Sequence, residues 1–369
     1  MEFTVSKTDL VRELGLSQGV VERRTTIPIL SNVLVEAMQD RIVLTATDLE
    51  LGIRCSCPAQ VKKQGSGTIP AKRLLDYARL LPDGEVNLKF GDNQWASIVS
   101  GRSRTRIAGM SRESYPELPH MSDKIADLPA NLFASMIQQT IFSISTEESR
   151  FTLNGALMVL TSDSLTLVAT DGHRLALVQR AMSLGAVNYR ALLPRKAMTE
   201  IQRLITEGGQ DGTVQFAATD NHLFFQMGDR LLLSRKLTGN FPDYDRVLPK
   251  EQPNTITLSR DDFRGTIERV AQFSDERSHA VRMRMESGEI RVFSSLSETG
   301  ESEESLPSTY EGEAVEIGFN AVYILEFLRA TPETEVSFLF KDAGSAGELR
   351  PAGEDVSYTY RYIIMPMRI

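Results

Sequence analysis

One pattern limits what this chain can fold into: much the same stretch of sequence occurs three times. "LTATDLELGIRC" (Leu44–Cys55) recurs as "LVATDGHRLALV" (Leu167–Val178), with Asp48 and Asp171 123 residues apart. "IPAKRLLDYARLLP" (Ile69–Pro82) returns as "LPRKAMTEIQRLI" (Leu193–Ile205), "SYPEL" (Ser114–Leu118) as "NFPDY" (Asn240–Tyr244), and Asn32 as Asn154. Order and offset are both kept, which chance does not do. In a fainter third copy, "IGFNAVYILEFLRA" (Ile317–Ala330) answers the Pro194 helix, and "LSRDDFRGTIERVAQF" (Leu258–Phe273) resembles "LPANLFASMIQQTIF" (Leu128–Phe142). The repeat predicts three domains, 1–122, 127–249 and 253–369, joined by the proline-bearing extended linkers "YPELPHMSD" and "VLPKEQPN".

Each copy has the same internal order. An early amphipathic helix is expected on Leu10, Val11 and Leu14, then on Phe133, Ile137 and Ile141, then on Phe263, Ile267 and Val270. A mid-copy helix follows on Leu74, Leu75, Ala78 and Leu81, on Met198, Ile201 and Ile205, and on Ile324, Leu325 and Leu328. Between them lie short alternating strands such as "RIVLTATDL" and "EIRVFSSL". The fold class is therefore α+β, two helices on antiparallel sheet per copy. "QGSG" (Gln64–Gly67) reads as a flexible loop by its turn composition. At the other end, "YRYIIMPMRI" reads as a final edge strand, with Ile363, Met365 and Met367 on one face and Pro366 interrupting the ladder.

At 369 residues, 41% hydrophobic and 24% charged, the chain is too long for one core and ordinary for a globular protein. No apolar run is long enough to span a bilayer, and "MEFTVSKTDL" lacks the features of a secretory signal, so no membrane partner is expected. Cys55 and Cys57 are too close together for an unstrained disulfide and too few for a metal cage, which fits a reducing, cytoplasmic setting. No phosphate-cradling glycine motif occurs, and His120, His173, His222 and His279 are scattered, so neither cofactor nor metal is expected.

The net charge of −8 argues against an ordinary nucleic-acid-binding surface. The charge is uneven, however: +2 over 1–122, −1 over 123–252 and −9 over 253–369. In "SGRSRTRIAG", Arg102, Arg104 and Arg106 share one strand face, with Ser103, Thr105 and Ile107 on the other. In "SETGESEESL", Glu298, Glu301, Glu303 and Glu304 cluster in the third copy. Unlike patches at the two ends of a repeat make a heterologous contact, which closes into a ring where the rotation allows. One group could do chemistry: Asp171, His173 and Arg174 as acid, base and anion clamp. The other reading of that stretch is a hairpin turn at Asp171-Gly172. The first copy has Leu49-Glu50 where the second has Gly172-His173, and neither nucleophile nor metal accompanies the group, so no enzyme is expected.

"TIPILSN", "ATDLE", "LNGALM", "VATDGHRLA", "PRKAMTE", "GNFPDYDRVLPK", "IGFNAVYIL" and "YIIMPMRI" resemble the bacterial β sliding clamp family, in order and spacing, from Phe3 to Ile369. These are the processivity subunits of replicative DNA polymerase III. The resemblance implies a homodimer joined head to tail into a six-domain ring, helices lining a hole that holds duplex DNA. Encirclement needs only a modest basic lining and no base reading. It implies DNA-facing roles for Arg24, Lys72, Arg73, Arg79, Arg150, Arg195, Lys196 and Arg203, with Glu147 standing where relatives can have a neutral amide. It further implies a cleft between the second and third domains for a short motif carried by the replicative polymerase, the clamp loader, other polymerases and mismatch-repair proteins. Matching cleft positions are Leu153, Thr170, Gly172, His173, Arg174, Leu175, Pro242, Arg246 and Val247, with Asn320, Tyr323, Ile363, Ile364, Met365 and Met367 from the third copy. Arg174 and Arg246 would pair with acidic groups of that motif. At the dimer seam, Arg73, Arg102, Arg104 and Ile107 would face Phe273, Glu298, Glu301, Glu303 and Glu304, with Ile107 and Phe273 at the apolar centre. A three-repeat adaptor that binds peptides without encircling DNA remains the alternative.

Overall fold

The structure, a computed structural model, describes residues 1–21, 26–91, 93–296, 300–353 and 356–368. Its described helices are α1 (Lys7–Val20), α2 (Ala71–Leu80), α3 (Ala130–Gln138), α4 (Arg195–Gly208), α5 (Arg260–Val270) and α6 (Ala321–Ala330), a pair in each copy. Most of the apolar positions that announce them are buried, from Leu10 and Leu14 on α1 to Ile324 and Leu328 on α6, while Val11 and Ile141 are half-buried. α3 ends sooner than its spacing predicts, and Ile141 opens a separate 3-10 turn. The Thr140 hydroxyl donates to the Met136 carbonyl at 2.8 Å, a side-chain bond that competes with helix continuation.

All strand pairing is antiparallel, in four described sheets. A five-stranded sheet runs Gln60–Lys63, Glu2–Ser6, Glu85–Phe90, Trp95–Ser100, Ser103–Ala108. An eight-stranded sheet runs Lys124–Pro129, Thr213–Ala218, His222–Met227, Arg230–Arg235, Leu51–Pro58, Arg41–Thr47, Asn32–Met38, Gly65–Pro70. A second eight-stranded sheet runs Tyr189–Pro194, Gly155–Leu160, Ser164–Thr170, Arg174–Ala181, Thr359–Ile364, Gly347–Ala352, Glu335–Phe340, Asn254–Ser259. The fourth runs Gly300–Pro307, Glu289–Leu296, Ala280–Glu286, Val315–Asn320.

Both eight-stranded sheets cross a repeat junction. Arg230–Arg235 of the middle copy pairs with Leu51–Pro58 of the first, and Thr359–Ile364 of the third pairs with Arg174–Ala181 of the middle. Packing follows the sheets: one compact unit holds Met1–Ala134 with Lys196–Lys236, the other Ser135–Arg195 with Leu237–Ile369. The middle copy is thus shared between two units, because its backbone hydrogen bonds run outward on both sides.

Two local expectations change. "QGSG" is no loop: Gly65–Pro70 is a strand paired along Asn32–Met38. Glycine serves there because the Phe90 ring lies against the backbone, and a Cβ on Gly67 would sit 2.5 Å from it. The C-terminal strand is no edge either. Thr359–Ile364 lies between two partners, and Tyr360, Tyr362, Ile363 and Ile364 are all buried, so both faces of the sheet are covered.

The first unit has a buried ion pair at its centre. Glu13 on α1 is 1% exposed and accepts from Arg230 Nε at 2.9 Å and Nη2 at 2.7 Å, and from Arg12 Nε at 2.8 Å. Burial disfavours its charge, but Arg230 and Arg12 more than offset that, so its pKa lies below the usual 4.5. A depressed carboxyl pKa contributes stability that is present above the ordinary range and lost as pH falls through it. Glu13→Ala, which strands Arg230, is expected to cost roughly 3 kcal/mol in urea unfolding at neutral pH. That deficit should shrink as pH falls below the ordinary carboxylate range and through the lowered Glu13 pKa, where the wild-type pair is itself lost.

Candidate functional site

The repeated Thr-Asp pair builds one turn twice. In the middle copy, Asp171 Oδ1 accepts from the backbone N–H of His173 at 2.9 Å and of Arg174 at 3.1 Å, and the Thr170 hydroxyl donates to the Arg174 carbonyl at 2.6 Å. In the first copy, Asp48 Oδ1 accepts from Glu50 and Leu51, and Thr47 donates to the Leu51 carbonyl at 2.8 Å. The residue after Asp has positive φ in both, 90° at Gly172 and 77° at Leu49. Asp171 is therefore a turn cap, and the acid–base–clamp reading loses its acid.

Arg174 is occupied as well. Only 8% exposed, it donates through Nε to Asp171 at 2.9 Å and through Nη2 to the Phe142 carbonyl at 2.6 Å. Through Nη1 it reaches Glu326 of α6 and the Tyr362 hydroxyl. Its plane lies 4.2 Å from the Tyr323 ring centroid. Burial opposes its charge, but Tyr362 and Glu326 outweigh that and raise its pKa. The expectation that Arg174 pairs with an acidic peptide group is overturned: its donors are spent on four segments of its own chain.

Above this network lies an apolar cleft of about 130 Å³ lined by Leu153, Thr170, Gly172, Leu175, Pro242, Tyr244, Val247, Ile363, Met365 and the Arg174 side chain. Tyr244 was missed, although its place in "FPDY" beside Pro242 offered the signal. Six expected residues do not line it. The exposed His173 contributes its backbone, whose carbonyl accepts from Met365 N–H at 2.9 Å. Asn320 caps α6 through the Val322 N–H at 2.9 Å. Tyr323 packs on Arg174, Ile364 is buried, and Met367 bridges back to Gly318. Arg246 is exposed beside Asp243 at 2.8 Å. Phe151, next to Arg150 in sequence, is 70% exposed and does not line the cleft.

The basic residues divide into committed and open groups. Arg24 lies outside the described residues. Arg150 braces the cleft turn, donating to the Asp171 carbonyl at 2.7 Å and pairing with Glu147 at 2.8 Å. Arg195 donates to the Ile144 carbonyl at 3.2 Å, Lys196 pairs with Asp48, and Lys72 pairs with Asp76. Arg73 and Arg79 are exposed on α2. Arg79 and Arg203 line one polar groove of about 580 Å³ formed by α1, α2 and α4, with Gln18, Gln202 and Thr206, and Arg203 is committed there to Glu200 at 3.2 Å.

Two sheet edges carry the charged patches. On Ser103–Ala108, Arg104 is exposed, as is the preceding Arg102, and Arg106 lies over Trp95 at 5.1 Å. Ile107 is 4% exposed, so its side chain is already used by its own core and offers little to an apolar seam. On Gly300–Pro307, Glu301 and Glu303 are exposed, whereas Glu304 faces the other way and takes Arg269 at 2.6 and 2.7 Å. Glu304 is thereby removed from the outward acidic set by strand alternation. Phe273 is 37% exposed; Glu298 lies outside the described residues.

Three family models match the chain end to end. They are the N-terminal domain of the DNA polymerase III beta subunit over residues 1–119, the central domain over 127–243 and the C-terminal domain over 245–368. The beta sliding clamp of Caulobacter vibrioides is 36% identical over 378 residues, covering all of both chains. That of Pseudomonas putida is 32% identical over 376 residues with the same coverage. The crystal structure of a Pseudomonas aeruginosa sliding clamp (DNA polymerase III subunit beta) bound to griselimycin superposes with a TM-score of 0.93 at 31% identity, covering all of both chains.

If Arg174 is a structural brace, Arg174→Met should lower stability by roughly 3 kcal/mol, since Asp171 and Glu326 are left facing each other. Denaturation followed by circular dichroism measures this; a change under about 0.5 kcal/mol, the size of an ordinary surface substitution, would mean the network is dispensable.

Proposed function

The chain belongs to the beta sliding clamps, the non-catalytic processivity subunits of DNA polymerase III, and from that membership we propose that two copies close head to tail around duplex DNA. The observation that carries the ring is the pattern of paired and unpaired edges. In every copy the third strand after the mid-copy helix is built to meet the third strand after the early helix of a neighbouring copy. Arg230–Arg235 meets Leu51–Pro58 in this way, and Thr359–Ile364 meets Arg174–Ala181. One strand of each kind is left over as a sheet edge, Ser103–Ala108 and Gly300–Pro307. The first presents Arg102 and Arg104, the second Glu301 and Glu303. Joining them between two chains repeats the internal junction and leaves no such edge exposed.

On this reading 1–122, 127–249 and 253–369 are three clamp domains, and DNA is held without sequence preference. Arg73 and Arg79 are the lining side chains freest to approach phosphates, while Arg203 is held by Glu200 at 3.2 Å. The cleft takes a short peptide with aliphatic anchors, from the replicative polymerase, the clamp loader, other polymerases or mismatch-repair proteins. Leu153, Leu175, Val247 and Ile363 supply the walls and Met365 an adaptable one. Arg246, exposed where Arg174 is not, is the cation for an acidic peptide group. The setting is cytoplasmic and needs no cofactor; no described helix is long and apolar enough to cross a membrane.

Sedimentation should give twice the chain mass, and protein loaded on nicked circular DNA should fall off once the circle is cut. A monomer that still binds peptides would favour the adaptor. Rim ion pairs contribute under about 1 kcal/mol each, so Phe273→Ala should weaken the dimer more than 1 M salt does. In the cleft, Met365→Ala should weaken a polymerase-derived motif peptide about tenfold by calorimetry, roughly 1.4 kcal/mol, while Met367→Ala leaves it near wild type.

A further inference from the structure

The face of the first copy's sheet that lies under the linker holds a further cavity of quite different character. The three register neighbours Leu157, Val168 and Leu177 pack as one apolar cluster under the linker residues Phe241, Tyr244 and Leu248. Exactly the same register, 123 residues earlier, joins Leu34, Thr45 and Arg54 across three neighbouring strands. The linker passes over this face too, the Tyr115 hydroxyl donating to the Thr45 carbonyl at 2.9 Å. Where the middle copy fills the space beneath with side chains, the first leaves a cavity of about 180 Å³ lined by Thr45, Arg54, Glu36, Arg112, Glu117 and His120 among others.

Two polar groups of that lining have no hydrogen-bond partner among the described residues. Thr45 is 2% exposed, and its Oγ1 has no hydrogen-bond partner among the described residues. Arg54 Nε is likewise buried without one. Burying a hydroxyl and a guanidinium N–H at positions that the sister copy gives to Val and Leu is costly unless something accepts their hydrogen bonds. We propose that this cavity binds a peptide carboxylate, with Arg54 and the Thr45 hydroxyl as its donors. The side of a guanidinium offers Nε–H and Nη–H in parallel, the fork that matches the two oxygens of a carboxylate. Arg112 and His120 add donors from the linker. Glu36 and Glu117 offset the charge of the two arginines, which disfavours a dianion and leaves the carboxylate to be held by directed hydrogen bonds from Arg54 and Thr45. The carboxylate comes from a chain end or from an Asp or Glu side chain; both have the same chemistry. The site is separate from the apolar cleft and stands whether or not the ring proposal does.

The test uses the full chain with arginine selectively labelled with 15N and follows the Nε–H resonance that disappears in Arg54→Met. N-acetylglycine serves as the chain-end probe, N-acetylaspartate N-methylamide as the side-chain probe and dimethyl phosphate as the phosphodiester probe. A carboxylate probe should shift the Arg54 resonance saturably in the millimolar range, and the one saturating at lower concentration identifies the source. Thr45→Val should weaken that binding several-fold. Arg54→Lys, which keeps the charge but loses the fork, should weaken it at least tenfold, with circular dichroism confirming that both variants fold. No shift, a shift that never saturates, equal binding by Arg54→Lys, or tighter binding of dimethyl phosphate would each overturn the proposal.

Discussion

The structure depends on antiparallel backbone pairing that ignores the boundaries of the repeat. Arg230–Arg235 hydrogen-bonds to a strand of the first copy and Thr359–Ile364 to a strand of the middle copy, so every copy shares a sheet with a neighbour. That pairing decides which parts are compact units and which strands are left as open edges. It also decides where the cleft lies, because Leu175 and Ile363 are register partners across the second junction. Edge strands with unsatisfied N–H and C=O groups invite further pairing, and here charge restricts it. Arginines on one edge and glutamates on the other favour unlike ends over like ones.

Around the cleft, polar residues are spent on holding the walls and apolar residues on making them. Asp171 fixes its turn, Arg150 and Arg174 fasten that turn from two sides, and Asn320 starts α6. Glu326 ties α6 to Arg174. What remains facing the cavity is mostly aliphatic, a lining suited to shape and apolar area rather than charge. The same turn in the first copy carries Leu49 at a φ of 77°, a conformation that glycine adopts without strain. The copies therefore share a backbone design while differing in what they present: an apolar cleft in one, a polar cavity in the other.

Much of the fold was legible in the sequence because periodicity reports burial directly. The 3.6-residue spacing placed both helices of every copy, and the Thr-Asp pairs located the turns. The cleft was legible mainly through its resemblance to a family, and only in part. Leu153, Leu175, Val247, Ile363 and Met365 line it, whereas Asn320, Tyr323, Ile364 and Met367 support it from behind. Sequence proximity cannot separate a residue that faces a cavity from one that holds its wall, since both are adjacent along the strand or helix. The terminal strand shows the same limit: alternation among four buried residues looks like an edge until a neighbour covers each side.

By itself the sequence determined that three similar α+β units follow one another, and that the first is slightly basic and the last strongly acidic. Those properties are local or additive, so they survive without coordinates. Only the tertiary structure decided that Arg174, Arg150 and Glu304 are committed within their own chain, that Ile107 is buried, and that Thr45 Oγ1 and Arg54 Nε have no hydrogen-bond partner among the described residues. Each of these depends on which residues from distant segments arrive at the same place. Long-range strand register sets that, and no single stretch of sequence contains it.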